Sequence, residues 1–136
     1  MTFFPLTQLQ PSQLYISEAK LAHVLAHWPP RLEMLEPVPI KSLHGRVIYT
    51  DGHTRAFAAY RQGFTEIPVV WDEDELDWEA YQICVDWCLA EGIRTIADLA
   101  GRVITPEQYE TLWHDRCRVM QETLAQTKCS QSKGIS

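Results

Sequence analysis

Apolar residues recur along this chain in two rhythms. Leu21, Val24, Leu25 and Trp28 return every three or four positions and predict a helix from Ser17 to about Trp28 with one buried face. Ser17 suits the N-cap, Glu18 in the first turn suits the helix dipole, and Pro29-Pro30 ends the helix. Shorter apolar runs predict strands. Leu6 to Leu9 reads as a first strand stopped by Pro11-Ser12. Val38 to Leu43 and Arg46 to Thr50 read as a hairpin around His44-Gly45, because glycine takes the positive φ of a tight turn. Glu66 to Trp71, carrying Ile67, Val69 and Val70, has the continuous apolar character of a strand inside a sheet. The stretch from Arg31 to Pro39 follows neither rhythm.

The remaining segments are helical. His53 to Gln62 is a helix with Gly63 at its C-terminal cap, and Asp77 caps another that runs to Glu91 before Gly92. That helix carries Trp78, Tyr81, Val85, Cys88 and Leu89 on one face and Ile83 and Trp87 on nearly the opposite one. Both faces need cover, from the terminal helix or from a second subunit in a homodimer. Thr95 caps a short helix through Ala100. Thr105-Pro106-Glu107-Gln108 starts the last one, whose stripe is Tyr109, Leu112, Trp113, Cys117, Met120 and Leu124. The expected fold is therefore α/β (α+β): a small mixed sheet with flanking helices in residues 1–76, a helical C-terminal extension in 77–127, and a loose polar tail in 128–136.

Composition narrows the partners. The 136 residues are 46% hydrophobic, which suffices for one ordinary core, and the net charge is −6. Asp72-Glu73-Asp74-Glu75, followed by Asp77 and Glu79, would repel a polyanion, and no basic cluster offsets it, so nucleic acid is not an expected partner. No apolar run approaches the roughly 20 residues of a membrane span, and Met1 to Pro5 lacks the pattern of a secretory signal. Cys84, Cys88, Cys117 and Cys129 follow no disulfide framework and read as reduced thiols of a cytoplasmic protein. Cys84 and Cys88 lie one helical turn apart, but no second pair completes a zinc site.

Chemistry concentrates where the second hairpin strand meets a helix, at Asp51-Gly52-His53-Thr54-Arg55. The first amides of a helix have no intrahelical acceptor, and its dipole draws anions to that end. Gly52 admits close backbone approach, Arg55 offers a bidentate fork, Thr54 a hydroxyl, His53 a donor or proton shuttle, and Asp51 a hard oxygen for Mg²⁺. A capped structural turn would use the same residues.

Asp51-Gly52-His53-Thr54-Arg55-Ala56, then Gly63, then Glu66-Ile67-Pro68-Val69-Val70, resembles the central motif of the ParB/sulfiredoxin superfamily, and Pro11-Ser12-Gln13-Leu14 before a helix resembles its first segment. The resemblance covers about Leu6 to Trp71. It implies a small α/β domain that holds nucleotide phosphates on the motif loop. The chromosome-partitioning branch carries Gly-Glu-Arg-Arg where this chain has Gly52-His53-Thr54-Arg55, and His53 stands where sulfiredoxins have their reactive cysteine. The Asp-Gly-His-Thr-Arg form is similar to the free-serine kinases of the superfamily. That likeness implies ATP or ADP with Mg²⁺, phosphoryl transfer to L-serine, Glu18 as the base, and Asp51 and His53 beside it in catalysis. Gly52, His53, Thr54 and Arg55 would then hold phosphates, Asp51 the metal, and Trp71 the amino acid. The competing expectation is a non-catalytic ParB-like module in which a nucleotide regulates assembly or DNA contact.

Overall fold

A computed structural model describes residues 2–135, with side chains described through residue 128. Its α+β architecture places four strands in one mixed sheet of order β1-β5-β3-β4: β1 is Thr2–Pro5, β3 Val38–Leu43, β4 Arg46–Tyr49 and β5 Glu66–Trp71. β5 runs antiparallel to β1 and parallel to β3, and is thus an interior strand as its apolar run implied. The β3–β4 hairpin turns through His44 and Gly45, with φ of 49° and 81°, the pair of positive angles a two-residue turn of matching twist requires. A second, two-residue parallel pairing joins β2 (Ile16–Ser17) to β6 (Val103–Ile104).

The first strand is displaced from its expected place. Leu6–Gln8 forms a single 3₁₀ turn, and the strand precedes it at Thr2–Pro5. Leu6 and Leu9 are both buried, and a turn with three residues per revolution carries both to the same side, which alternation along a strand does not.

Helix α1 (Glu18–Ala26) starts where Ser17 Oγ accepts the Lys20 amide, and ends two residues before the expected stop. Its apolar face is thinner than its rhythm implied: Leu21 is buried, Val24 partly, and Leu25 is exposed. Helix α2 (His53–Arg61) buries Ala56, Phe57, Ala58 and Ala59. Complete burial of a side chain like Phe57 contributes about 2–3 kcal/mol.

In the C-terminal half, α3 (Trp78–Ala90) begins with Asp77 Oδ1 accepting the Ala80 amide. The segment capped by Thr95 is a 3₁₀ turn, Ile96–Leu99. Thr105 and Gln108 form the expected capping box at α4 (Pro106–Tyr109). A π turn, Glu110–His114, follows without a break and leads into α5 (Asp115–Ile135), so the helical trace runs through the segment read as a tail. The widened turn alters the phase of the stripe: Trp113 is buried whereas Leu112 is exposed. Trp87 meets Trp113 edge to face at 6.1 Å, so the terminal helix covers this side of α3. Among the described residues, no helix is long and apolar enough to cross a membrane.

Candidate functional site

The expected strand-to-helix junction is present, with β4 ending at Tyr49 and α2 beginning at His53. Gly52 is the N-cap of α2 with φ of 78°, and no side chain caps that end. A Cβ at this position would lie 2.7 Å from Arg55 Nη2 and 3.0 Å from Val38, so glycine is needed both for its left-handed backbone and for its empty space. The Gly52 amide donates to Asp51 Oδ1 at 2.8 Å, and the opening amides of α2 have no side-chain acceptor.

Those amides border an open cleft of about 570 Å³. Asp51, Gly52, His53, Thr54 and Arg55 line one side, and Lys20 and His23 of α1 line another. Tyr109 closes the floor: its hydroxyl accepts from Gln13 Nε2 at 2.8 Å and its ring lies under the Lys20 ammonium at 5.0 Å. Arg55, mostly buried, pairs with Glu36 at 3.0 Å, and the Glu36 side chain is 84% exposed. An exposed carboxylate therefore occupies the arginine fork that a phosphate would engage, and a surface pair of this kind exchanges for a better anion at little cost.

His53 lines the cleft and also has a structural part. It is buried, and its Nε2 accepts the Ser12 amide at 3.0 Å. Burial, opposed only in part by the neighbouring Asp51, lowers its pKa to about 4. The ring is neutral at physiological pH with Nε2 engaged as acceptor, which leaves Nδ1–H as its donor. It ties the loop at Ser12 to the motif, and the Ser12 hydroxyl adds a 2.8 Å bond to the Tyr49 carbonyl.

Behind the His53 wall lies a second cavity of about 370 Å³. It is formed by Thr50, Asp51 and His53 against Tyr81 and Cys84 of α3 and Trp113, Cys117 and Met120 from the end of the chain. Tyr81 donates to the Thr50 carbonyl at 2.9 Å, and its pKa is raised by burial and by the nearby Asp51 and Asp72. Trp71 borders a third depression with Thr50, Asp51 and Asp72, where it is 47% exposed and edge-on to Phe4 at 6.3 Å. There the Thr50 hydroxyl donates to Asp72 at 2.7 Å and holds that carboxyl below its ordinary range. Asp51 alone fronts all three spaces.

Glu18 stands apart. It is exposed on the first turn of α1 and is not among the residues lining the cleft, which takes Ala19, Lys20 and His23 from the same helix. The carboxylates that reach the cleft are Asp51 and Glu36. Glu36, Lys20, Gln13 and Tyr109 escaped sequence reasoning because they come from separate segments, and Glu36 lies in the stretch without a rhythm. Among the described residues, no group of three or more His, Cys, Asp or Glu side chains is arranged to hold a metal ion. Asp51 can still supply one unengaged carboxylate oxygen, which fits a magnesium ion carried largely by phosphate and water.

No protein-family model matches the chain, and no curated protein matches it. Among solved structures it is similar to protein Atu1540 from Agrobacterium tumefaciens, with a TM-score of 0.46 and 18% identity. The match covers 77% of this chain and 62% of that one, so this chain spans less than two thirds of the other's length. A likeness at that level bears on neither family nor chemistry.

Proposed function

We propose that this protein is a nucleotide-dependent phosphotransferase of the ParB/sulfiredoxin kind, moving a phosphoryl group from ATP or ADP to the hydroxyl of a free amino acid, with L-serine the expected acceptor. The observation that supports this reading is the uncapped start of α2 at a left-handed Gly52, facing a cleft that also receives Arg55 and Lys20. Uncapped amides, a planar guanidinium and an ammonium suit the oxygens of a polyphosphate.

In the proposed reaction the acceptor oxygen attacks the terminal phosphorus. The bond from that phosphorus to the bridging oxygen breaks, the nucleotide leaves one phosphate shorter, and a carboxylate takes the hydroxyl proton. Arg55 and the opening amides of α2 hold the phosphoryl oxygens in line. When phosphate takes the Arg55 fork, Glu36 is released at the rim, which makes Glu36 rather than the more remote Glu18 the better-placed base. Mg²⁺ held by Asp51 and the phosphates would offset the charge developing on the transferred group.

The test is incubation of the protein with ATP or ADP, Mg²⁺ and a panel of free amino acids, with mass spectrometry for phosphorylated product. O-phosphoserine is expected, reduced strongly in Glu36→Gln and little changed in Glu18→Gln. Absence of any phosphorylated amino acid would overturn the enzymatic reading. Glu18's place outside the cleft favours the second reading, a non-catalytic ParB-like module, and nucleotide binding without product is the outcome expected of it.

A further inference from the structure

The inner cavity holds chemistry for which phosphoryl transfer has no use. Cys84 of α3 and Cys117 of α5 both line it, as neighbours across the interface of the two helices. Their surroundings differ. Cys84 is buried, and Cys117 is half-buried and open to the cavity. The Cys84 side chain, aided by the Arg116 guanidinium, lowers the Cys117 thiol below its ordinary range, while the Cys117 side chain and burial push Cys84 up. Arg116 is held in place over the Trp87 ring at 4.1 Å. Cys88, one turn further along α3, is fully buried, and burial raises its thiol to about 12. Cys117 is thus the accessible thiol of the pair, Cys84 is its buried neighbour on the same cavity, and Cys88 lies outside that cavity.

We propose that Cys84 and Cys117 form a redox-active dithiol that closes into a disulfide between α3 and α5 when a small peroxide enters the inner cavity. The Cys117 thiolate attacks one peroxide oxygen, the O–O bond breaks, and the departing oxygen leaves as water or alcohol after taking up the proton Cys117 had released. Cys117 is now a sulfenic acid. The Cys84 sulfur then attacks the Cys117 sulfur, the S–O bond breaks, and that oxygen departs as water with the Cys84 proton. The two thiols supply the two electrons that reduce the peroxide. Closure joins α3 to α5 beside the space that Asp51 and His53 also line.

The experiment treats the full chain with hydrogen peroxide, blocks free thiols, and maps the peptides without reduction. A Cys84–Cys117 cross-linked peptide is expected, with the intact mass lower by two hydrogens, reversal by a thiol reductant, and a melting temperature several degrees higher after oxidation. In Cys84→Ser, Cys117 should accumulate as a sulfenic acid that a diketone probe traps; in Cys117→Ser, peroxide consumption should fall to the level of an unactivated thiol. Links from Cys117 to Cys88 or Cys129, independent conversion of both thiols to sulfinic acids, or undiminished peroxide consumption in Cys117→Ser would each overturn the proposal. None of these readouts depends on nucleotide or amino acid, so they stand apart from the kinase reading.

Discussion

The two spaces on either side of His53 share a wall and differ in everything else. The outer cleft is open and receives Lys20, His23 and Arg55 around uncapped amides. The inner cavity is lined by Tyr81, Trp113, Met120 and two thiols, with Asp51 and Asp77 as its charged side chains. The first sets Lys20 and Arg55 against Asp51 and Glu36, whereas the second has only carboxylates as its charges. Gln13, Asp51 and the neutral His53 ring stand between them. Were His53 protonated it would carry positive charge into the wall, and its bond from the Ser12 amide would be lost.

The predictions test that division. The largest effect is expected from acid. Below pH 6.5 the unfolded chain protonates His53, whereas the folded chain does not do so until about pH 4. Above pH 6.5 neither state carries the proton and the histidine costs nothing. As the pH falls through that window the unfolded state binds more protons, so unfolding free energy drops by about 3 kcal/mol in total. Denaturant midpoints measured from pH 7 to 4 should show this slope, and His53→Gln should lose it. Gly52→Ala should cost about 2 kcal/mol or more in the same assay, from the positive φ and the crowding against Arg55 and Val38. Arg55→Ala should leave the denaturant midpoint nearly unchanged but weaken nucleotide binding by calorimetry about 30-fold, or about 2 kcal/mol. Tyr81→Phe, on the inner side, should lower stability by about 1 kcal/mol through the lost bond to the Thr50 carbonyl. Nucleotide affinity should not change in that variant. If it does, the two spaces are one site.

The same division separates what was legible in the sequence from what was not. The α+β class, the hairpin around Gly45, the interior position of β5 and the caps at Ser17, Asp77 and Thr105 follow from local rules, because the residues that decide them are adjacent in the chain. So does the Asp51–Arg55 junction. Leu6 to Leu9 misled because a buried pair three apart serves a 3₁₀ turn as well as a strand. The β2–β6 pairing is two residues long on each side, too short to leave a periodic mark. Burial of His53 depends on Ser12, 41 positions away. The Cys84–Cys117 meeting depends on how α5 packs on α3, whereas sequence spacing singled out Cys84 with Cys88.

The π turn at Glu110–His114 makes the terminal helix two rotors on one shaft. Upstream, Tyr109 lines the outer cleft, and downstream, Cys117 lines the inner cavity. A widened turn accommodates one surplus residue, and each residue of an α-helix corresponds to about 100° of rotation. Deleting a single exposed position there, such as Leu112, would restore the regular ladder and, because the wide turn had absorbed that residue, leave everything beyond it close to its present phase. Tyr109 would keep its place under Lys20 and Cys117 its side of the helix, whereas a deletion in the regular helix between His114 and Cys117 would turn the thiol away from Cys84 and leave the outer cleft whole.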